Sequence, residues 1–491
     1  MLASWQSFYK YWSWAFVIVV FFYIKMCHVD ITMNSYPILI ICFNNYKYVK
    51  NTINQLLKIN KDLEHVIQII DNCSTCTQTI DYLANTICKV VHRSENKGPR
   101  ISPYDNVDIY NEMPDKFILT DPDLQFNELL PSNFIDMLVE ISEKYNSYKT
   151  GLALDISDYD KMIPGIYFRG KTICEWEQTF WENKINDELY WADIDTTFCL
   201  INKNNLGSRD IRVAGNFTAK HIPWYKTNLV YNIYEQVLLQ KYTTHVSTTS
   251  SIILGYIENN FSKLQKHNEY FFIDNHRYAS NFHFWKNIYA TWEEERFKVF
   301  DQYFNQDKIF IDIGAWIGTT SMYGSRKSKH VYSVEADSQS VSEFEYNMKN
   351  NCSANYTLVN RAIYNIDNIE VKFGKNKFLN GSKMNDSTSQ IYSENESSDE
   401  FYAVKTISLE RLIEKYAINP NDISLIKVDI EGGEEFIFQH LYDIKTKYGV
   451  PIYVSFHHSW WKNKNLDRYP FLSEQQKNEI YHNPFTSILF V

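Results

Sequence analysis

At roughly 100–200 residues per domain, the 491-residue chain has material for two or three globular units. Asp and Glu number 59 against 49 Lys and Arg, a formal charge of −10, and so acidic a surface repels phosphate backbones and argues against nucleic-acid binding. The 44% hydrophobic and 16% aromatic content excludes a largely disordered chain, and eight cysteines spread over this length give no disulfide framework.

The first element is apolar. Tyr11 to Ile24 reads YWSWAFVIVVFFYI without a charge. A full membrane span needs ~20 residues. Reaching back to Trp5 supplies that length if Lys10 snorkels, and Trp5, Trp12, Trp14 and Tyr23 would form an interfacial belt. The expectation for residues 1–30 is a single-pass signal-anchor holding an otherwise cytoplasmic protein at a membrane. A cleaved signal or a peripheral hydrophobic helix are the alternatives, and Lys10 and Lys25 give almost no orientation bias.

After Pro37 the run ILIICFNN predicts a buried parallel strand ending at Asn44, and YVKNTINQLL from Tyr48 has helical spacing. Further strands are expected over 65–70, ending at Asp71; over 88–92, before SENKGP; and over 116–119, ending in Asp121-Pro122-Asp123. Strands alternating with helices imply a mostly parallel sheet, and ligands collect at the carboxyl ends of such strands. Two Asp one residue apart after a strand can hold a divalent metal against a departing diphosphate. Asp71 followed by Asn and Ser also suits a plain Asx turn. Cys73-x-x-Cys76 has no thioredoxin-like surroundings and reads as incidental.

PILIICFNNYKYVKNTINQLL, IIDNCST, HRSENKGP and FILTDPD, in this order over about residues 36–225, resemble the family 2 glycosyltransferases of GT-A fold. The resemblance implies a nucleotide sugar as co-substrate, bound by Asn44, Asp71 and Asp121. It further implies Mn or Mg held by Asp121, Asp123 and the late His221 of HIPWY. Where that family has Asp-Gly-Ser, this chain has Asn72-Cys73-Ser74. Asp195 in WADIDTTF is the chosen catalytic carboxylate, with Glu175 and Glu177 behind it.

TTHVSTTSS (243–251) is a polar break, and FHFWKNIYATWEEERFKVF from Phe282 has helical periodicity. The expected domains are therefore 36–255 and 270–491. SKMNDSTSQIYSENESSDE (382–400) reads as a solvated insertion in the second.

In that second domain a strand over 308–313 runs into Asp312-Ile313-Gly314-Ala315-Trp316-Ile317-Gly318. Its glycines let the backbone approach a ligand where strand passes into helix. The spacing is not the G-x-G-x-x-G of a dinucleotide site. Glu335, after the next strand, suits two ribose hydroxyls. A later strand over 423–428 delivers Asp429-Ile430-Glu431-Gly432-Gly433-Glu434, and VPIYVSFHH ends in His457 and His458.

IDIGAWIG, VYSVEAD and IKVDIEGGE together resemble the FkbM family of class I methyltransferases over about residues 270–460. The resemblance implies O-methylation from S-adenosylmethionine, with Asp312, Gly314, Gly318 and Glu335 holding the cofactor and Asp429 and Glu431 at the catalytic end. A hydroxyl nucleophile needs a base, for which Asp429 and His457 (or His458) are the candidates. The expected fold class is α/β, a GT-A-like domain followed by a Rossmann-like methyltransferase domain. The expected protein is a bifunctional glycan-modifying enzyme acting on a carbohydrate acceptor. Two rival readings remain open for the first half: a glycan-binding module beside an active O-methyltransferase, or a nucleotidyltransferase.

Overall fold

Runs of consecutive apolar residues, rather than alternating ones, dictate the central strands of both sheets, because a parallel strand is covered on both faces. The computed structural model describes residues 36–241, 247–376, 387–392 and 401–491. The expected membrane segment over 1–30 lies outside the described residues. Among the described residues no helix is long and apolar enough to cross a membrane. The chain divides into two units, the first ending at Val230 and the second running from Tyr231 to Val491.

In the first unit β1 (Ile38–Cys42), β2 (Ile67–Asp71), β3 (Lys89–His92) and β4 (Lys116–Thr120) are parallel, in the order β3-β2-β1-β4. All five β1 residues are buried. The sheet then continues through β8 (Cys199–Asn202), β6 (Lys149–Leu154), β9 (Ile211–His221) and β5 (Leu124–Phe126), with β7 (Leu189–Trp191) also on β9. The helix Tyr46–Ile59 presents Val49, Ile53 and Leu56 as its buried stripe, at the i, i+4, i+7 spacing that the sequence shows. The winding reverses between β1 and β4, the position where such sheets take ligands, and Asn44 and Asp121 stand just past the ends of these two strands.

In the second unit β10 (Phe261–Lys266) and β11 (Glu269–Asp274) form a hairpin. The main sheet has the order β14 (Tyr356–Asn360), β13 (His330–Glu335), β12 (Ile309–Ile313), β19 (Ile423–Val428), β20 (Ile452–Ser455), β21 (Ser487–Phe490). All its pairings are parallel except that of the edge strand β21. A small sheet of β15 (Ala362–Ile363), β16 (Glu370–Gly374), β17 (Gln390–Tyr392) and β18 (Phe401–Ile407) is inserted before β19. Ile311, Ile313, Val334, Ile426, Val428, Ile437 and Val454 make the core around β12 and β19. The topological switch lies between these two strands, whose ends carry Gly314 and Asp429.

Three expectations differ from the structure. The unit boundary falls at Val230, ahead of the expected 255, because the helices Ile233–Lys241 and Thr248–Asn260 pack on the β10–β11 hairpin and on the helix Ser338–Asn351 of the second unit. The stretch from Phe282 is two helices, Ala279–Asn287 and Glu294–Tyr303, rather than one. Within 382–400, the described residues 387–392 include a strand, β17, paired to β16 instead of a free loop.

Candidate functional site

The polar turn after β12 is shaped by hydrogen bonds to the neighbouring strand. Gly314 and Ala315 donate their N–H groups to Val334 O at 2.9 and 3.2 Å, which bends the chain over the end of β13. Gly314 has φ +77°, and a Cβ there would lie 1.8 Å from Asp429 O. Only glycine fits. Gly318, φ +95°, starts the helix Thr319–Lys327 and faces Phe344 instead. Beyond the turn a cleft opens, lined by Gly314, Trp316, Glu335, Asp337, Asp429 and Glu431 among others, with Ser387, Ser389 and Ile391 of the inserted region on its wall.

Glu335 sits in this cleft with both carboxylate oxygens aimed at backbone. Oε2 accepts from Trp316 N at 2.7 Å and Oε1 from Asp337 N at 2.8 Å. Each oxygen keeps a second lone pair for a hydroxyl. Burial raises its pKa from the usual 4.5 to about 7 against the pull of those two N–H groups. The folded state thus retains a proton that the unfolded chain loses. The stability that goes with it is present below about pH 4.5 and is lost as pH rises to about 7. The expected result is that the wild type, measured against Glu335→Gln by thermal unfolding, loses relative stability between about pH 5 and 8, by at most roughly 3 kcal/mol. A difference that stays flat over that range contradicts this ionisation.

Asp312, expected to hold the cofactor, lies outside the cleft. It is fully buried and accepts from Thr320 Oγ1 (2.5 Å) and Ser321 Oγ (2.6 Å), and its Oδ1 pairs with Lys427 Nζ at 3.0 Å. Lys427 also donates to Gly314 O at 2.7 Å. The pair therefore holds the glycine turn from beneath.

At the far side of the cleft Asp429 and Glu431 meet His457. His457 Nε2 lies 3.2 Å from Glu431 Oε2 and 3.7 Å from Asp429 Oδ1. Its Nδ1 is 3.0 Å from Glu434 Oε1. Glu434 is fully buried and also accepts from Gly432 N and Trp461 Nε1. Arg296 Nη1 donates to Asp429 Oδ2 at 2.7 Å and its Nη2 to Ser455 Oγ at 2.8 Å. Burial opposes ionisation of Asp429, but Arg296, Lys427 and His457 outweigh it and hold the carboxyl at about 2. Burial likewise opposes charging His457, and Glu434, Glu431 and Asp429 outweigh it, so that its pKa rises to about 9. As arranged, neither expected base is poised near neutral pH. His458 turns away, buried, with its Nε2 3.1 Å from Lys464 O. Arg296 and Glu434 had no assigned role in the sequence reading: an Arg in EERFKVF reads as surface charge, and nothing in GGEE marks the first Glu as buried.

In the first unit Asn44, buried at φ +58°, accepts with Oδ1 from Thr75 N and Cys76 N, both at 2.7 Å. It clamps the loop after β2. Asp71 accepts from Ser74 N at 3.0 Å, three residues on rather than the two of an Asx turn, and its Oδ2 is 2.9 Å from His92 Nδ1. Asp121 accepts from Thr196 Oγ1 at 2.6 Å, and Asp123 Oδ2 lies 3.4 Å from His221 Nε2. Burial and mutual repulsion raise the pKa of Asp121, burial raises that of Asp123, and burial pushes His221 down to about 4. Asp123 Oδ1 and His221 Nδ1 are buried without a hydrogen-bond partner. Among the described residues Asp121, Asp123 and His221 do not form a three-ligand group with all donor atoms within 4.8 Å; Asp429, Glu431 and His457 do.

Asp195, the chosen catalytic carboxylate, is 61% exposed and held by Arg100 at 2.7 and 3.2 Å. Of the fallbacks, Glu175 closes a capping box with Thr172 and Glu177 is buried against Arg212. Near Asp123, a cavity of about 430 Å³ is lined by Asp158, Lys161, Lys220, Ile222 and Tyr225 among others.

Several solved structures are similar to this chain. Methyltransferase FkbM from Methylobacillus flagellatus aligns at 10% identity over 89% of this chain and 83% of that one, with a TM-score of 0.23. A mannosyltransferase from Pyrobaculum calidifontis, solved with GDP-Man and Mn2+, aligns at 8% identity over 46% of this chain and 74% of that one, TM-score 0.25. For precorrin 8w decarboxylase from Methanobacterium thermoautotrophicum the figures are 15%, 33% and 62%, TM-score 0.19, so this chain spans less than two thirds of that protein. No curated protein matches. Residues 312–478, from the buried Asp312 through the Asp429–Glu431–His457 group, match the model of the methyltransferase FkbM domain, which falls wholly within the second unit.

Proposed function

We propose that the chain is a bifunctional carbohydrate-modifying enzyme that transfers a sugar in its first unit and methylates a hydroxyl, on the same or a related glycan, in its second. The observation that carries the methyl half is the cleft at the β12–β19 switch, where a glycine that tolerates no Cβ stands opposite a buried carboxylate. S-adenosylmethionine, when bound, supplies an electrophilic methyl group. The Gly314 turn, packed against the Asp429 backbone, borders the cleft where the donor's amino-acid tail lies, Glu335 takes the ribose hydroxyls, and the acceptor approaches from the side of Asp429 and Glu431.

The sugar half is supported by Asp121 and Asp123 at the β1–β4 reversal. Two partly buried acids and an Asp123 oxygen without a hydrogen-bond partner suit a divalent cation. Such an ion supplies positive charge under a leaving diphosphate. The exposed, ion-paired Asp195 favours a second reading, in which this unit only binds glycan and the methyltransferase alone turns over.

One experiment separates the two. The full chain is incubated with nucleotide sugars, Mn2+, a panel of glycans and methyl-labelled S-adenosylmethionine. The expected result is both labels on one acceptor, with sugar transfer falling ~100-fold or more in Asp121→Asn and Asp123→Asn while methyl transfer is kept. Methyl label alone, unaffected by these substitutions, establishes the binding-module reading. Absence of both labels overturns both.

A further inference from the structure

We propose that Asp429, Glu431 and His457 form a divalent-cation site in the methyltransferase unit, set against the methyl-donor cleft so that the ion holds an acceptor hydroxyl.

The first argument is distance. Ligand atoms ~2.1 Å from a first-row or magnesium ion stand ~3.0 Å apart in cis octahedral positions and ~3.4 Å apart in a tetrahedron. Glu431 Oε2 and Asp429 Oδ1 lie 3.2 and 3.7 Å from His457 Nε2, so a small ion is reached with shifts of a few tenths of an ångström. All three donor atoms fall within 4.8 Å of one another, and the three side chains are partly buried rather than spread over the surface.

The second argument is the support behind the imidazole. Glu434 is fully buried and faces Nδ1 of His457, fixing that nitrogen as the donor and turning Nε2 toward the two carboxylates. A carboxylate behind a histidine whose other nitrogen faces acids is the arrangement that orients metal-bound imidazoles. Glu434 is in turn tied to Gly432 N and Trp461 Nε1, and Trp460 stacks on the His457 ring at 5.0 Å. The imidazole is thus set on both sides.

The third argument is place. Asp429 and Glu431 line the cleft that also contains Gly314 and Glu335. An ion held there lies on the acceptor side of the bound methyl donor, where it can position a hydroxyl or a pair of vicinal hydroxyls. Carboxylates with one imidazole suit Mn2+ or Mg2+ and admit Zn2+. This placement rests on the methyl-donor reading of the cleft; the cation site itself does not.

The test counts bound Mn2+ on the full chain by electron paramagnetic resonance, with S-adenosylhomocysteine binding measured by calorimetry on the same samples. The count is expected to fall by one per chain in Glu431→Gln and in His457→Gln, and to be unchanged in Asp195→Asn. In Glu434→Gln affinity at this site should weaken ~10–100-fold. Pulsed measurement of the Asp123→Asn/His221→Gln protein, whose other candidate site is disabled, should show a ¹⁴N coupling from an imidazole on the remaining Mn2+. That readout stands even if a ligand variant fails to fold. Equal counts in folded Glu431→Gln, His457→Gln and wild type overturn the proposal, as does a bound Mn2+ count of zero or no ¹⁴N coupling in the Asp123→Asn/His221→Gln protein. Loss of S-adenosylhomocysteine binding with the Mn2+ pattern intact removes the methyl-donor reading and leaves the cation site standing.

Discussion

Alanine at position 314 should abolish binding of the methyl donor. Its Cβ would lie 1.8 Å from Asp429 O and 2.8 Å from Asp429 C, both backbone atoms that no side-chain rotation moves aside. The φ of +77° adds a left-handed penalty of ~1 kcal/mol to an overpacking cost of ~1–3 kcal/mol. The turn can relieve the clash only by lifting off the end of β19, and the Lys427 bond to Gly314 O resists that movement. Donor affinity should fall ~100-fold or more, with the midpoint of unfolding lowered as well. Gly318→Ala is the control. Its Cβ meets Phe344 at 3.4 Å, so it carries the backbone strain of φ +95° without a collision, and should cost ~1 kcal/mol of stability and little affinity. Calorimetry with S-adenosylhomocysteine measures both. Affinity in Gly314→Ala within ~3-fold of the wild type would show that the turn does not approach the donor.

Removing Glu434 should be the most destabilising single truncation at the site. The carboxylate is fully buried and serves Ile430 N, Gly432 N, Trp461 Nε1 and His457 Nδ1. Glu434→Ala leaves those donors without an acceptor and His457 without its orienting charge. Breaking one partner of such a buried arrangement typically costs ~3–5 kcal/mol. Denaturant unfolding should show a loss of that size, and any folded fraction should transfer methyl at under ~1% of the wild-type rate. Glu434→Gln preserves volume and one acceptor and should recover a good part of the stability without recovering the rate. Full transfer activity in Glu434→Gln would mean that His457 needs no carboxylate behind it.

The sheets were legible because their central strands are uninterrupted apolar runs. ILIIC, IFIDI and ISLIKV read as covered on both faces and are so in the structure. Strand ends were legible for the same reason, since polar turns follow each run, and Asp121, Gly314 and Asp429 stand where the two windings reverse. Side-chain direction was not legible. Asp312 and Glu335 both end apolar strands, yet the first is turned under the glycine loop toward Lys427 and the second into the cleft. Asp195 offered a carboxylate in a plausible stretch, but its exposure and its pairing with Arg100 depend on chain segments 95 residues apart. The unit boundary was hidden because no Gly- or Pro-rich run marks a linker near Val230, and only the packing of the helices Ile233–Lys241 and Thr248–Asn260 assigns them to the second unit. Arg296 illustrates the general limit. Its neighbours Glu293, Glu294 and Glu295 make the helix look solvated, and only the tertiary fold turns its guanidinium onto Asp429.

Lys427 on β19 and Asp312 on β12 join adjacent strands through charges of opposite sign in the middle of an otherwise apolar sheet. In the chain these residues stand 115 positions apart, with the inserted sheet of β15 to β18 between them. Neither can be inherited without the other, because a lone ammonium or carboxylate at that depth has no solvent to turn to. Any recombination between related domains that crosses over inside this interval must draw both residues from one parent or supply a matched pair. The inserted sheet itself carries no such obligation, so that segment can be exchanged, and the cleft wall at Ser387, Ser389 and Ile391 with it, while the Gly314 turn stays intact.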